Sequence, residues 1–191
     1  MAGKKKKRRP GGFTMLEASI CLFIVAMVAG FTFVSVSHLL PKIKFKSQAS
    51  DIKRMFELAS HSASQTPRRY GVMVDFMVNA CILYEVNTSQ PYSENFETLR
   101  DEDIMDIVYL SQDCQLYYVQ FDDSEETIDA TAETGRAFFV AGRAGWDYGG
   151  KVVFFDNEGM LHSILIQRLG NNIQMYDYDV MIPQPVFNLP F

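Results

Sequence analysis

The chain opens on a polar, cationic block and passes almost at once into an apolar run. Lys4 to Arg9 are six consecutive cations, and Ala18–Leu40 is 23 residues without Asp, Glu, Lys or Arg. At about 1.5 Å per residue that run reaches roughly 35 Å as a helix, enough to cross a bilayer. Past Pro41 the pattern changes. Phe45, Ala49, Ile52, Phe56, Ala59 and Ala63 recur at steps of four and three, which draws one apolar stripe along a helix. Lys46, Lys53, Arg54 and Glu57 fall on its other faces. Pro41 predicts a kink between the two halves, and Pro67 ends the element because the residue before a proline avoids helical angles.

From Arg69 the period drops to two. Val72, Val74 and Phe76 alternate with other positions, then Ile82, Tyr84 and Val86 do the same after a turn near Asn79, which is a hairpin signal. Further strands are expected at Gln115–Phe121, Ala137–Ala141, Lys151–Phe155, Leu161–Arg168 and Ile173–Tyr178. Asp156-Asn157-Glu158-Gly159 reads as a turn with Gly159 at positive φ, and Gly170-Asn171-Asn172 as another. Thr88–Asp106 and Asp122–Thr134 read as loops, and Pro183, Pro185 and Pro190 keep the tail extended. One long helix followed by about seven strands predicts an α+β fold. Its amino-terminal helix is expected to span a membrane first, then turn amphipathic and pack on antiparallel β-sheets. The segments are 1–12 as a leader, 13–40 as a transmembrane helix, 41–67 as its amphipathic continuation and 68–191 as a β-rich domain.

Charge sharpens this picture. The net charge is −5, but the first twelve residues hold six of the 18 cations and no acid, so the remainder carries −11. An acidic body lacks the clustered cations that displace counterions from nucleic acid, which excludes that partner class. The basic block should stay cytoplasmic and leave the carboxyl-terminal domain outside, although Lys42, Lys44 and Lys46 weaken the asymmetry. A secretory signal peptide with a cleavage site at Ser35-Val36-Ser37 accounts for part of this pattern, as does a plain anchor. Against both stand the length of the uncharged run, the helical pattern that resumes beyond it, and Glu17.

A carboxylate at the hydrocarbon boundary is costly unless a cation at the same depth compensates it. Cutting after Gly12 creates one, the α-amino group of Phe13. In one helix that amine lies four residues from Glu17, and in parallel helices it reaches a neighbour's Glu17.

Gly12-Phe13-Thr14-Met15-Leu16-Glu17 with its basic leader and apolar run resembles the class III signal of type IV prepilins and type II secretion pseudopilins. The resemblance implies cleavage of Gly12–Phe13 by a membrane prepilin peptidase, N-methylation of Phe13, and Glu17 as the assembly charge. Met15-Leu16-Glu17-Ala18 departs from the commoner Glu-Leu step. The helix-then-hairpin order, and Val152-Val153-Phe154-Phe155 before the Asp156–Gly159 turn, resemble the minor pseudopilins of the GspH/FimT group, whose fold is pilin-like.

The function so implied is that of a structural subunit in a type II secretion pseudopilus, serving protein export across the outer membrane. Its partners would be the prepilin peptidase, other pseudopilins or pilins in a helical filament, and an inner-membrane assembly platform. It would be a single-pass inner-membrane protein with a periplasmic carboxyl-terminal domain. The alternatives are a minor type IV pilin or DNA-uptake pseudopilin and, from another class, a membrane-tethered periplasmic binding module or enzyme.

Catalytic signals are thin. Of three histidines, His38 and His61 lie on the long helix and only His162 lies among the strands, where Ser163 beside it points to the opposite face. No HExxH, GxSxG, P-loop or CxxC occurs, so no enzyme and no cofactor is expected. Asp101-Glu102-Asp103 and Asp122-Asp123-Ser124-Glu125-Glu126 raise calcium, which some relatives of the family carry, but the Asp-x-Asp-x-Asp-Gly loop is missing and solvated acidic loops are the simpler reading. Cys81 and Cys114 are candidates for a disulfide in an oxidising compartment, the alternative being two half-buried thiols; Cys21 lies in the apolar run. Trp146, set among Gly145, Gly149 and Gly150, is either a contact surface for another subunit or a plug at the end of a sheet.

Overall fold

The computed structural model describes residues 14–86, 101–169 and 172–183, without the side chains of 32–38 and 101. The chain divides into two compact units, Met1–Leu40 and Pro41–Phe191. A single helix, α1, runs Met15–Gln65 and continues through Pro41. In the first unit every residue from Thr14 to Phe31 is exposed.

The second unit is helix on sheet. β1 (Arg69–Asp75), β2 (Ala80–Val86), β3 (Ile104–Tyr109), β6 (Arg136–Gly142) and β7 (Gly145–Trp146) form one antiparallel sheet in the order β3-β2-β1-β6-β7. β4 (Cys114–Phe121), β5 (Thr127–Asp129), β8 (Gly150–Asp156), β9 (Leu161–Ile166) and β10 (Ile173–Tyr176) form a second, in the order β10-β9-β8-β4-β5. The α+β expectation holds here. The six-residue stripe from Phe45 to Ala63 is buried throughout and joins one core cluster with Val72, Val74, Cys81, Leu83 and Phe139 of the first sheet. Cys114, Val119, Val152, Phe154, Ile164 and Ile166 of the second sheet belong to the same cluster. Phe56 meets Phe139 edge-on at 5.3 Å between ring centres, the offset geometry aromatic quadrupoles favour.

Three expectations need correction. The loop expected over Thr88–Asp106 fails at its end, where Ile104, Met105 and Asp106 enter β3: the strand runs along β2 from Tyr84 to Ala80, with a register shift at Leu83. Asp122–Thr134 contains the three-residue β5, and Gly145–Trp146 adds β7. All three are edge or near-edge pieces whose ladder bonds, not their apolar pattern, make them strands. The hairpin also departs from simple alternation, because Met73, Ile82 and Tyr84 on its other face form a second buried cluster with Phe138. Gly159 does take positive φ, at 79°. Residues 87–100, and Gly170 and Asn171 of the other expected turn, lie outside the described residues.

Candidate functional site

The amino-terminal signal is met first. Gly12 and Phe13, the expected cleavage and methylation positions, lie outside the described residues, as does the leader. Thr14 precedes the helix, and its Oγ1 accepts the Glu17 amide at 3.3 Å while its carbonyl accepts the Ala18 amide at 3.1 Å. Thr14-Met15-Leu16-Glu17 thus has capping-box spacing, and Glu17 sits in the first turn, where an acid complements the helix dipole. That signal is legible in the sequence and gives Glu17 a local role besides any intermolecular one. Met15, Leu16, Leu22, Phe23, Val25 and Phe31 are among the exposed apolar side chains that follow. Among the described residues no helix is long and apolar enough to cross a membrane. The side chains of 32–38, within the 18–40 run, are outside that description.

His162 is the second point of interest. β9 turns it inward and Ser163 outward, as alternation requires. Its ring packs on Phe45 of α1 at 4.4 Å and stacks on Phe154 at 6.2 Å. Nε2 lies 3.5 Å from Asp156 Oδ2 and Nδ1 3.3 Å from Asp177 Oδ1. Burial opposes ionisation of Asp156, but hydrogen bonds from the Met160 and Glu158 amides and from His162 outweigh it and hold the carboxyl below its ordinary range. The imidazole is therefore buried and clamped between two carboxylates. This is the geometry of a satisfied core histidine. Among the described residues no three His, Cys, Asp or Glu side chains could hold a metal, which covers the run from Asp122 to Glu126; the Asp101 side chain of the other run lies outside the described residues.

Trp146 is buried against Phe56 and Phe139, so it plugs the helix–sheet core and is not a contact surface. Cys81 and Cys114 are free, buried thiols in the same core cluster. Burial, and then the charge of Cys114, pushes the Cys81 thiol up; burial, and then Asp156, pushes Cys114 up to about 12.

The outer face of the second sheet holds polar groups that the sequence pattern does not single out. Tyr118, Val153 and Ser163 lie in one cross-strand row, and Lys151 and Leu165 in the next. Lys151 is 6% exposed and Ser163 0%. The chain beyond β10 runs across this face. Ser163 Oγ donates to the Tyr178 carbonyl at 2.7 Å and accepts the Val180 amide at 3.2 Å. Lys151 Nζ donates to Asp179 Oδ1 at 2.5 Å, and Tyr118 Oη donates to Asp179 Oδ2 at 2.6 Å. Burial opposes the charge on Lys151, but its bonds to Asp179 and Tyr118 prevail and raise its pKa. A lysine at the head of the apolar run Lys151–Phe155 is the available signal.

No family model matches the chain, and no curated protein does. Among solved structures it is similar to the minor pseudopilin EpsH from the Type 2 Secretion System of Vibrio cholerae. The two are 10% identical, the match covers 70% of this chain and 96% of that one, and the TM-score is 0.47. The functional reading rests on the residues themselves.

Proposed function

We propose that this chain is a minor pseudopilin, a non-enzymatic structural subunit of a secretion pseudopilus. One observation carries the reading: a single helix buries a face of its second half, while residues 15–31 of its first half are all exposed and mostly apolar, behind a basic leader and Gly12-Phe13-Thr14-Met15-Leu16-Glu17. Such an apolar surface needs a cover, either lipid or other helices. In this reading both serve in turn. The helix is held in the inner membrane with the β domain in the periplasm. A prepilin peptidase cuts Gly12–Phe13 and methylates Phe13. An assembly platform then draws the helix into a filament, where apolar helices pack together. Glu17, fixed in the first helical turn, accepts the Phe13 amine of a neighbouring subunit and sets the axial register. The same physics serves a minor type IV pilin or a DNA-uptake pseudopilin, and gene neighbourhood distinguishes these.

The rival reading is a membrane-tethered periplasmic module, favoured by Thr14 capping the Glu17 amide and by Glu17 complementing the helix dipole in the first turn, which need no cut. Intact mass of protein from the native membrane separates the two. Processing predicts loss of residues 1–12 and gain of one methyl group; an intact leader rejects the filament reading. Glu17→Gln keeps the turn but removes the charge. It is expected to insert normally and to fail in filament incorporation, and normal incorporation would refute the register role.

A further inference from the structure

We propose that the outer face of the second sheet is a binding site for an extended acidic segment, and that residues 177–180 of a second copy of this chain can fill it in exchange for its own. The site is built for an occupant. Lys151 and Ser163 are polar groups buried on a sheet face that also buries Val153 and Leu165. Each buried polar atom needs a partner, and the segment supplies all of them: the Asp179 carboxylate for Lys151 and Tyr118, and the Tyr178 carbonyl and Val180 amide for Ser163. The Lys151 ammonium also sits 5.2 Å from the Tyr118 ring centre, so the cation is held on two sides.

The occupant is separable from the sheet. The β10–β9 ladder ends at Tyr176 and Ser163, and the bonds to residues 178–180 come from side chains of the sheet, not from its backbone. The segment can leave without breaking the ladder. Asp177 joins the two parts, and its side chain is 87% exposed, facing the buried His162. Asp179 on the segment thus meets the buried Lys151 on the outer face, a complementarity of charge that fixes register. The one sequence shown to fit this face is Tyr178-Asp179-Val180, and every copy carries it. Exchange of an identical element between copies makes no new contact and costs little beyond the loss of the intramolecular link, which close neighbours offset through high local concentration. The inference does not depend on membrane insertion or on Glu17.

The test uses the full chain in detergent, with Cys21→Ser to remove the exposed thiol. Gln120 pairs with Lys151 on β4, and Met181 follows the segment, so cysteines at these two positions leave every bond above intact. With both substitutions on one chain at high dilution, a short bismaleimide should link residues 120 and 181; absence of that link overturns the placement on which the proposal rests. With Gln120→Cys and Met181→Cys on separately tagged, co-produced copies, a doubly tagged dimer should form about tenfold above the control pair Gln120→Cys with Glu133→Cys. Ser163→Val in the accepting copy should lower that yield several-fold. A dimer no more abundant than the control shows a closed, purely intramolecular contact and overturns the exchange, whether or not the filament reading stands.

Discussion

Asn79 Oδ1 accepts the amide of Leu116 at 3.0 Å, so one side chain in the first sheet's hairpin turn fastens the start of β4 in the second sheet. Its Nδ2 donates to the carbonyls of Leu110 at 3.3 Å and Cys114 at 3.1 Å. The residue stands at φ 51°, a left-handed conformation that Asn tolerates better than most. Asn79→Gly keeps the backbone and deletes the three bonds, for an expected loss of about 1–3 kcal/mol. Asn79→Ala adds left-handed strain of roughly 1 kcal/mol. Denaturant midpoints should fall in that order, and two neutral variants would show that the sheets are joined by apolar packing alone.

Gly71 lies opposite Tyr84 in the β1–β2 ladder, and a Cβ at Gly71 would come within 2.3 Å of the tyrosine ring. The ring therefore uses the bare glycine as its floor on the outer face of the first sheet. Gly71→Ala should cost about 1–3 kcal/mol by overpacking. Adding Tyr84→Leu should recover part of that loss, because the clash is with a side chain. A double variant no more stable than Gly71→Ala would place the cost in the backbone.

The helix and its buried stripe are legible in the sequence because a 3.6 period over six apolar residues has one physical solution, a face against a core. Ile164 and Ile166 are legible as strand for the same reason at period two. The edge strand β3 is not: Asp106 points to the same side as Leu83, the core side, and a charge there reads as loop although it also protects a free sheet edge. The covered outer face is hidden too. Val153 and Ser163 are buried by chain that carries no periodic signal of its own, and only the three-dimensional crossing of residues 177–180 brings Asp179 to Lys151. At the amino terminus the Thr14–Glu17 spacing carries a helix-cap signal that the cost of an acid beside an apolar run overshadows.

The charge pairs set the pH range of the β domain. The Asp156 carboxyl is held below its ordinary 3.8, so its contribution is complete above that value and is lost as pH falls through the lower, folded one. The Lys151 ammonium is raised above 10.5 and the Tyr118 phenol above 10.0, so both contribute below those values and lose their contribution as pH rises past them. Urea midpoints should form a plateau with an acid limb below about pH 4 and an alkaline limb above about pH 9, to which the buried Cys81 and Cys114 thiols also contribute. Asp179→Asn, which removes the shared partner, should make the alkaline limb shallower without abolishing it, because burial is the main cause of the Tyr118 shift and the core thiols are untouched, and should leave the acid limb in place. An unchanged alkaline limb would mean that Lys151 and Tyr118 draw nothing from Asp179.

The three thiols should separate cleanly by environment. Cys21 is exposed, while Cys81 and Cys114 are buried with raised pKa values, about 12 for Cys114. Thiolate is the reacting species, so burial and a raised pKa both suppress the two core thiols. In detergent-solubilised native chain near neutral pH, maleimide should label Cys21 alone. Unfolding in denaturant without reductant should then release both core thiols, as the structure's free sulfhydryls require. If they appear only after reduction, the two sheets are joined by a Cys81–Cys114 disulfide in the cell. That bond would have to form before the core closes, since the folded thiols are poor nucleophiles. Labelling of Cys81 in the native chain would show that the core opens at β2.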